Sequence, residues 1–199
     1  MKKQGMVSLP TKIMNFVFLA GVFIVLFVLF ILLSTAIEIP TYISIALFIL
    51  VIVGSFINIP LYTTKHQQLI SINIGGAIVP LMIAFYIIMI NLNHIVYFIM
   101  AISVVSIVTF FSSSINPDEG ITVSLIKPVL AALIIAILLP VSSAHIMFVS
   151  GVFGMLVGAD MMNLDNMHEI DFTTVTIGGA GSFDAIFLTG IVAIVLILI

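Results

Sequence analysis

The chain of 199 residues is 63% hydrophobic and 7% charged, with a formal net charge of −3 at pH 7. Soluble domains average about 25% charged residues, so this composition excludes an ordinary soluble protein and predicts an integral membrane protein. Cysteine is absent, which excludes disulfides, thiolate metal sites and a cysteine nucleophile. Arginine and basic clusters are absent as well, so we do not expect nucleic-acid binding. We also expect no cofactor and no bound metal.

Apolar runs of membrane-spanning length predict seven helices in one transmembrane domain, residues 1–199. The first run begins near Ile13, shortly after Met1-Lys2-Lys3, as a secretory signal would. It reaches Leu33, and its roughly 21 residues exceed the 7–15 or so of a signal peptide's apolar region, so we expect a retained helix. The predicted spans are residues 13–34, 41–57, 75–91, 95–112, 123–139, 144–160 and 180–199.

The lysines indicate the orientation of these spans. Cytoplasmic loops near span ends are enriched in lysine and arginine. All the lysines fall on one side of the seven-span arrangement: Lys2, Lys3, Lys12, Lys65 and Lys127. We therefore predict a multi-pass protein of the cell membrane with a cytoplasmic N-terminus and an outer C-terminus. The inner loops are the longer ones, so we expect chemistry at the inner face.

Two segments of the chain repeat one pattern. Gly54 ends an apolar run, and Ile74-Gly75-Gly76-Ala77 opens the next run 20 residues later. Gly158 ends a later run, and Ile177-Gly178-Gly179-Ala180 opens the last one after 19 residues. We predict an all-α polytopic fold with two helix–β-hairpin–helix repeats in parallel orientation. The repeats comprise residues 41–91 and residues 144–199.

The loop of each repeat has β character. Residues 69–74 alternate apolar and polar side chains, and residues 172–177 are rich in β-branched side chains. A polar turn precedes each of these stretches. Because bare strand edges are not tolerated in lipid, we expect the two hairpins at the inner interface, where they could pair with each other.

Only the second repeat places carboxylates at the membrane boundary, with Asp160 before the loop and Asp184 after it. An ionisable residue at membrane depth indicates a functional site, because burying it in hydrocarbon is costly. Two close carboxylates can share one proton. One of them can then activate water while the other donates a proton to a carbonyl. We therefore predict Asp160 and Asp184 as a catalytic pair.

Asp184 precedes a short apolar run. The 15 residues after it cover roughly 22 Å at about 1.5 Å each, less than the hydrocarbon core of about 30 Å, so we expect the helix to begin before Asp184. The positive end of the helix dipole would then stabilise the charged carboxylate. The structural alternative is that Asp184 only caps the helix, although Ser182 would suffice as a cap. The predicted substrate-binding residues are Gly178, Gly179, Gly181, Ser182 and Asn163.

A stripe of small residues precedes Asp160. Ser150, Gly154 and Gly158 recur at every fourth position, which lets another helix pack closely. The stripe is structural by itself, and it brings Asp160 near the helix that packs there. The seventh span is the neighbour expected from the connecting loop.

The chain resembles a family of bacterial and archaeal multi-pass membrane proteins known as a domain of unknown function. The resemblance covers nearly the whole chain and implies a fold without an activity. It rests on four stretches of the sequence: residues 58–62, residues 73–80, residues 158–164 and residues 177–190.

A looser resemblance concerns presenilin, signal peptide peptidases and type IV prepilin peptidases. One aspartate ends a span, and a glycine-rich segment carries the second aspartate into the next span. This arrangement implies a di-aspartyl intramembrane peptidase that uses Asp160 and Asp184. Those families have Gly-x-Gly-Asp at the second aspartate, whereas this chain has Gly181-Ser182-Phe183-Asp184.

Three functions stay open on the sequence. The first is an intramembrane aspartyl peptidase whose partners are membrane lipid and a transmembrane peptide substrate. The second is an ion- or proton-coupled transporter or channel, because glycine-broken helices with a buried acid also coordinate ions. The third is a non-catalytic membrane scaffold. Each of them is compatible with a homo-oligomer.

Overall fold

The computed structural model describes residues 11–36, 38–64, 67–116, 120–124, 126–163 and 174–179. Six α-helices lie in these ranges: α1 (Thr11–Ala36), α2 (Thr41–Gly54), α3 (Val79–Ile90), α4 (Ile95–Ser112), α5 (Ile126–Leu138) and α6 (Ser143–Met155). Five short strands accompany them: β1 (Asn58–Thr63), β2 (Leu69–Asn73), β3 (Ser113–Asn116), β4 (Gly120–Val123) and β5 (Thr174–Ile177).

Among the described residues, two helical stretches are long and apolar enough to cross a membrane, judged by length and composition. They are Leu92–Ser112, which contains α4, and Ser143–Asn163, which contains α6. Shorter apolar helical stretches include Thr41–Gly54, Ile74–Ile90 and Ile126–Leu138. This finding is in keeping with the predicted membrane protein, whereas the number of spans and the orientation stay predictions.

Helices lie at six of the seven predicted segments, and α4 has the predicted bounds. One difference is at α2, which ends at Gly54 rather than at residue 57. There Ser55 and Phe56 form a turn, and the chain becomes extended at Asn58. The seventh predicted segment, residues 180–199, lies outside the described residues.

The strands form two small sheets, so the chain is mostly helical rather than all-α as predicted. The first sheet has the order β1-β2-β5, with β1 antiparallel and β5 parallel to β2. The contact expected between the two strand-forming segments is therefore present. In the second segment the described ranges contain the single strand β5, so a second hairpin stays a prediction.

The second sheet was not predicted. It pairs β3 antiparallel with β4, from Ser113↔Val123 to Asn116↔Gly120. The predicted spans leave residues 113–122 as a break before the helix predicted at 123–139. Because β1 follows α2, β3 follows α4 and β4 contacts the end of α6, the strands form a layer at one end of the helices.

Helix α6 lies at the centre of the described structure. It packs against α3, α4 and α5, and 11 of its 13 residues are buried. The side chains of Phe148, Ile146 and Met147 are completely buried. By contrast, α2 and α4 carry large exposed apolar side chains such as Ile49 and Val96. This distribution puts the core around α6 and leaves the apolar outer surface that a lipid environment would cover.

Candidate functional site

Asp160 lies at the end of α6, where the helix widens. Residues Leu156–Asp160 form a π-helical turn, and residues 161–163 continue as a 3-10 turn. The Asp160 side chain is partly buried. Single π-helical turns inside helices are frequent at functional sites, and this turn is the irregularity that separates Asp160 from the regular part of α6.

The glycine stripe holds this end of α6 against α4. A Cβ on Gly154 would lie 2.7 Å from Cβ of Val105, and a Cβ on Gly158 would lie 2.7 Å from Cβ of Thr109 and overlap the Ser106 carbonyl oxygen. The partner of the stripe among the described residues is therefore α4, whereas the seventh span was the neighbour expected from the sequence. Close approach to α4 fixes the position of the Asp160 turn.

Asn163 reinforces the same end of α6. Its side chain is buried, and Nδ2 donates hydrogen bonds to the carbonyl oxygens of Ala159 at 2.9 Å and Gly158 at 3.2 Å. Nδ2 also lies 3.1 Å from Oγ of Ser113 at the start of β3. This amide was predicted to bind substrate, and in the structure its donors are directed at protein atoms that surround Asp160.

A second group of residues forms a corner between α2 and α3. Here Asn73 is buried, and its Oδ1 accepts a hydrogen bond from the Gly76 N–H at 2.8 Å. Its Nδ2 donates to the carbonyl oxygen of Ser55 at 2.9 Å and to Oδ1 of Asn58 at 2.7 Å. One side chain thus ties the end of α2, the start of β1 and the π-helical turn Ile74–Ile78 that leads into α3.

The two Ile-Gly-Gly motifs meet at this corner. Gly178 has a φ of +68°, and a Cβ there would lie 2.8 Å from Cβ of Ala77 and 2.8 Å from the Gly76 carbonyl carbon. A left-handed φ and a close backbone neighbour both require glycine. Nearby, Oγ of Ser71 and Oγ1 of Thr176 are 2.6 Å apart across the β2–β5 pair. The first segment therefore positions the chain that leads towards Asp184.

The remaining predicted site residues have mixed outcomes. Gly179 is exposed and follows Gly178 in the turn after β5. Gly181, Ser182 and Asp184 lie outside the described residues, so the contact between the two aspartates stays a prediction.

Asn58 and Asn73 were not among the predicted site residues. Their mutual hydrogen bond joins residues 15 apart, and their place beside the first glycine motif was the available signal. Ser113 was not predicted either, because its contact with Asn163 depends on β3, a strand that the sequence pattern did not indicate.

A different kind of site lies at the opposite end of α6. His145 is buried in the first turn of this helix, and within the described ranges neither ring nitrogen has a hydrogen-bond partner. Glu38 lies in the turn between α1 and α2, at the same end of the helices. Glu38 itself has a φ of +61°, an uncommon conformation for a residue other than glycine.

An apolar cavity of about 310 Å³ lies at the same end as Glu38. Its lining consists of Ile39, Pro40, Ile43, Leu47, Met82, Ile83 and Tyr86. Among the described residues, no three histidine or acidic side chains come together as metal ligands. This end therefore offers one buried imidazole and an apolar space.

Comparison with known proteins gives one match. A family model described as "Protein of unknown function (DUF1614)" matches residues 32–196. No curated protein and no solved structure matches the chain. The match spans every described strand and five of the six helices completely.

Proposed function

Since the chain belongs to the DUF1614 family, whose description assigns no activity, we propose a function from the site itself: an intramembrane aspartyl peptidase-like protein with Asp160 and Asp184 as its catalytic pair. The observation that carries the proposal is the half-buried Asp160 in a π-helical turn that Gly158 and Asn163 hold in place. Partial burial of a carboxylate beside the core of an apolar helix bundle is costly, and its fixed position suits a catalytic role better than that of a solvated surface group.

The proposal includes a polytopic membrane protein with seven spans and two helix–hairpin–helix repeats in parallel orientation. The parallel pairing of β2 with β5 supports it, because equivalent strands of the two segments run side by side. The packing of Gly178 on Gly76 and Ala77 supports it as well. In this arrangement the seventh span starts beside α3 and carries Asp184 at the same end as Asp160.

The reaction would be hydrolysis of a peptide bond in a transmembrane substrate. The ionised carboxylate removes a proton from water while the water oxygen attacks the scissile carbonyl carbon. The protonated carboxyl gives its proton to the carbonyl oxygen, and proton transfer to the amide nitrogen then releases the two products. The pair needs one proton in total, and repulsion between two close carboxylates favours that state.

The strand layer could bind a substrate segment in an extended conformation. A helical peptide must become extended before its carbonyl is accessible to water. Within the described sheet β5 is an edge strand, paired with β2 on one side. An extended segment could pair with the other side of β5 through backbone hydrogen bonds.

The test measures inhibitor binding and hydrolysis on the purified protein in detergent. A transition-state analogue with a hydroxyl at the scissile carbon should bind the unchanged protein saturably, and single-span peptides should be cleaved. We expect Asp160→Asn and Asp184→Asn each to lower the cleavage rate by roughly 10²–10⁴-fold, the usual cost of losing a general acid or base.

The matched control is Asp118→Asn, which removes a carboxylate that lies between β3 and β4 in the sequence. This variant should bind and cleave normally. All variants must keep the thermal transition of the unchanged protein. A well-folded protein that neither binds the analogue nor cleaves any peptide would rule out the peptidase.

An ion- or proton-coupled transporter is the second candidate, and His145 is the observation that favours it. A buried imidazole with no hydrogen-bond partner among the described residues is a group that could take up and release a proton. Proton flux into liposomes that His145→Gln abolishes, and that His94→Gln leaves intact, would support transport. Flux that depends on Asp184 would place the coupling at the strand-bearing end instead. If Asp184→Asn changes neither activity, the scaffold alternative gains support.

A further inference from the structure

The outer edge of the three-stranded sheet is apolar and uncovered. All six residues of β1 are exposed, and so are Phe56 and Ile57, which precede it. Phe56 is 86% exposed, the largest fraction among the exposed large apolar side chains of the described ranges. We define the edge segment as residues 56–62; its large apolar members are Phe56, Ile57, Ile59, Leu61 and Tyr62, each at least 41% exposed.

This edge is poorly built for another protein strand. Pro60 lies in the middle of β1 and has no N–H to donate. The register of β1 against β2 shifts between Pro60 and Tyr62, which disturbs the regular spacing of backbone groups on the outer side. Proline and bulges are features by which edge strands avoid pairing with other chains. The apolar side chains therefore need a cover that does not depend on backbone hydrogen bonds.

The surroundings of the edge segment fit lipid. The exposed apolar face of α2, which includes Ile49 and Val53, runs directly into Phe56. At the other end of the segment the sequence continues Thr64-Lys65-His66, whose basic groups suit lipid phosphates. Apolar side chains with a tyrosine at one end and a cation beyond it have the order of groups found at a headgroup boundary.

We propose that the edge segment is an interfacial membrane anchor, inserted among phospholipid headgroups and the first acyl carbons. The proposal rests on the membrane part of the proposed function and not on peptidase activity. Insertion removes the apolar side chains of the segment from water, and this burial is the usual driving force for interfacial binding. With β1 held in lipid, β5 is the strand at the opposite edge of this sheet.

The chain has no tryptophan, so one introduced tryptophan reports a single position. We would reconstitute the F56W and Y62W variants in vesicles of phospholipid brominated either near the headgroup or near the chain end. Both variants should show blue-shifted emission and lose more fluorescence to headgroup-proximal bromine. The control V104W changes an exposed residue of α4, well inside that helix, and should lose more fluorescence to chain-end bromine.

Three other results would overturn the anchor. Emission typical of water together with strong quenching by acrylamide would mean that the edge segment faces solvent. Protection from both bromine and acrylamide would mean that a protein surface, such as a second copy of the chain, covers it. Weak bromine quenching of V104W as well as F56W would contradict the membrane part of the proposed function. Repeating F56W in an Asp160→Asn background separates the anchor from the peptidase, since its quenching should not change.

Discussion

At the scale of single residues, Asn73 shows how an amide can organise a corner in an apolar protein. It is 1% exposed, and both its oxygen and its nitrogen are used, with three partners on three different elements. In an apolar environment an unsatisfied backbone group is costly, because water cannot replace the missing partner. Asn73 satisfies groups at the end of one helix and the beginning of the next.

Replacing Asn73 tests this account. We expect Asn73→Ala to destabilise the protein by roughly 2–3 kcal/mol, because it leaves buried hydrogen-bonding groups without a partner. The measurement is the thermal or denaturant-induced unfolding transition in detergent. The control is Asn93→Ala, which removes an exposed amide from the turn before α4 and should change stability by less than about 0.5 kcal/mol. Equal transitions for the two variants would contradict the role given to Asn73.

At this scale the sequence predicted the positions of interest but not their partners. The glycine motifs and Asp160 stood out because glycine and charge are conspicuous in an apolar chain. The amides of Asn73 and Asn163 did not stand out, because their contribution depends on which carbonyl oxygens lie within hydrogen-bonding distance in the fold. Gly178 was expected to bind substrate, and its visible contact is with Gly76 and Ala77. Tertiary contacts of this kind produce no local periodicity in the sequence, so they cannot be predicted from it.

At the scale of elements, long apolar runs predicted helices well, as α4 shows. Short strands were predicted only where alternation or β-branched residues accompanied a polar turn, as at β2 and β5. The β3–β4 sheet was missed because each strand has four residues, and β4 merges into the apolar run of α5. The π-helical turns were not predicted either, because a single extra residue in a turn does not change the apolar pattern.

The β2–β5 pairing can be tested by a disulfide. The chain has no native cysteine, and the Ser71 and Thr176 hydroxyl oxygens are 2.6 Å apart. We expect the double variant Ser71→Cys, Thr176→Cys to form a disulfide on mild oxidation, since facing residues bring the sulfur atoms within bonding reach.

The readout uses the lysines. A lysine-specific protease cuts after Lys65 and Lys127, so the fragments that carry positions 71 and 176 should stay together until the sample is reduced. The control pair Ser71→Cys, Thr174→Cys is displaced by two residues, because Thr174 faces Leu69, and should cross-link much less. Fragments that separate without reduction in both variants would contradict the pairing.

At the scale of the whole molecule, the strand layer and the lysines give the two ends of the helices different characters. Lys127 is exposed at the start of α5, beside β4, and Lys65 follows β1 in the sequence. The other end carries Glu38 and no lysine in the described ranges. Because lysine tends to stay on the cytoplasmic side, we predict that the strand layer lies inside the cell.

Cysteine labelling checks this orientation. In intact cells, a membrane-impermeant maleimide should label Asn93→Cys and Ser142→Cys, which lie in exposed positions at the lysine-free end. It should label Ser114→Cys, exposed on β3, only after the membrane is opened. Labelling of Ser114→Cys in intact cells would mean that the orientation is reversed or that the chain is not embedded as proposed.

The β2–β5 pair has a consequence for how the protein is made. Its partners are 105 residues apart in sequence, and α3, α4, α5 and α6 all lie between them. Contacts of such separation close late, after the intervening loop entropy has been overcome. During synthesis the edge of β2 that pairs with β5 therefore stays unpaired until nearly every helix has left the ribosome. The corner around Asn73, where Gly178 packs on Gly76 and Ala77, is completed only after β5 has been made, so we expect an unfinished chain to lack it.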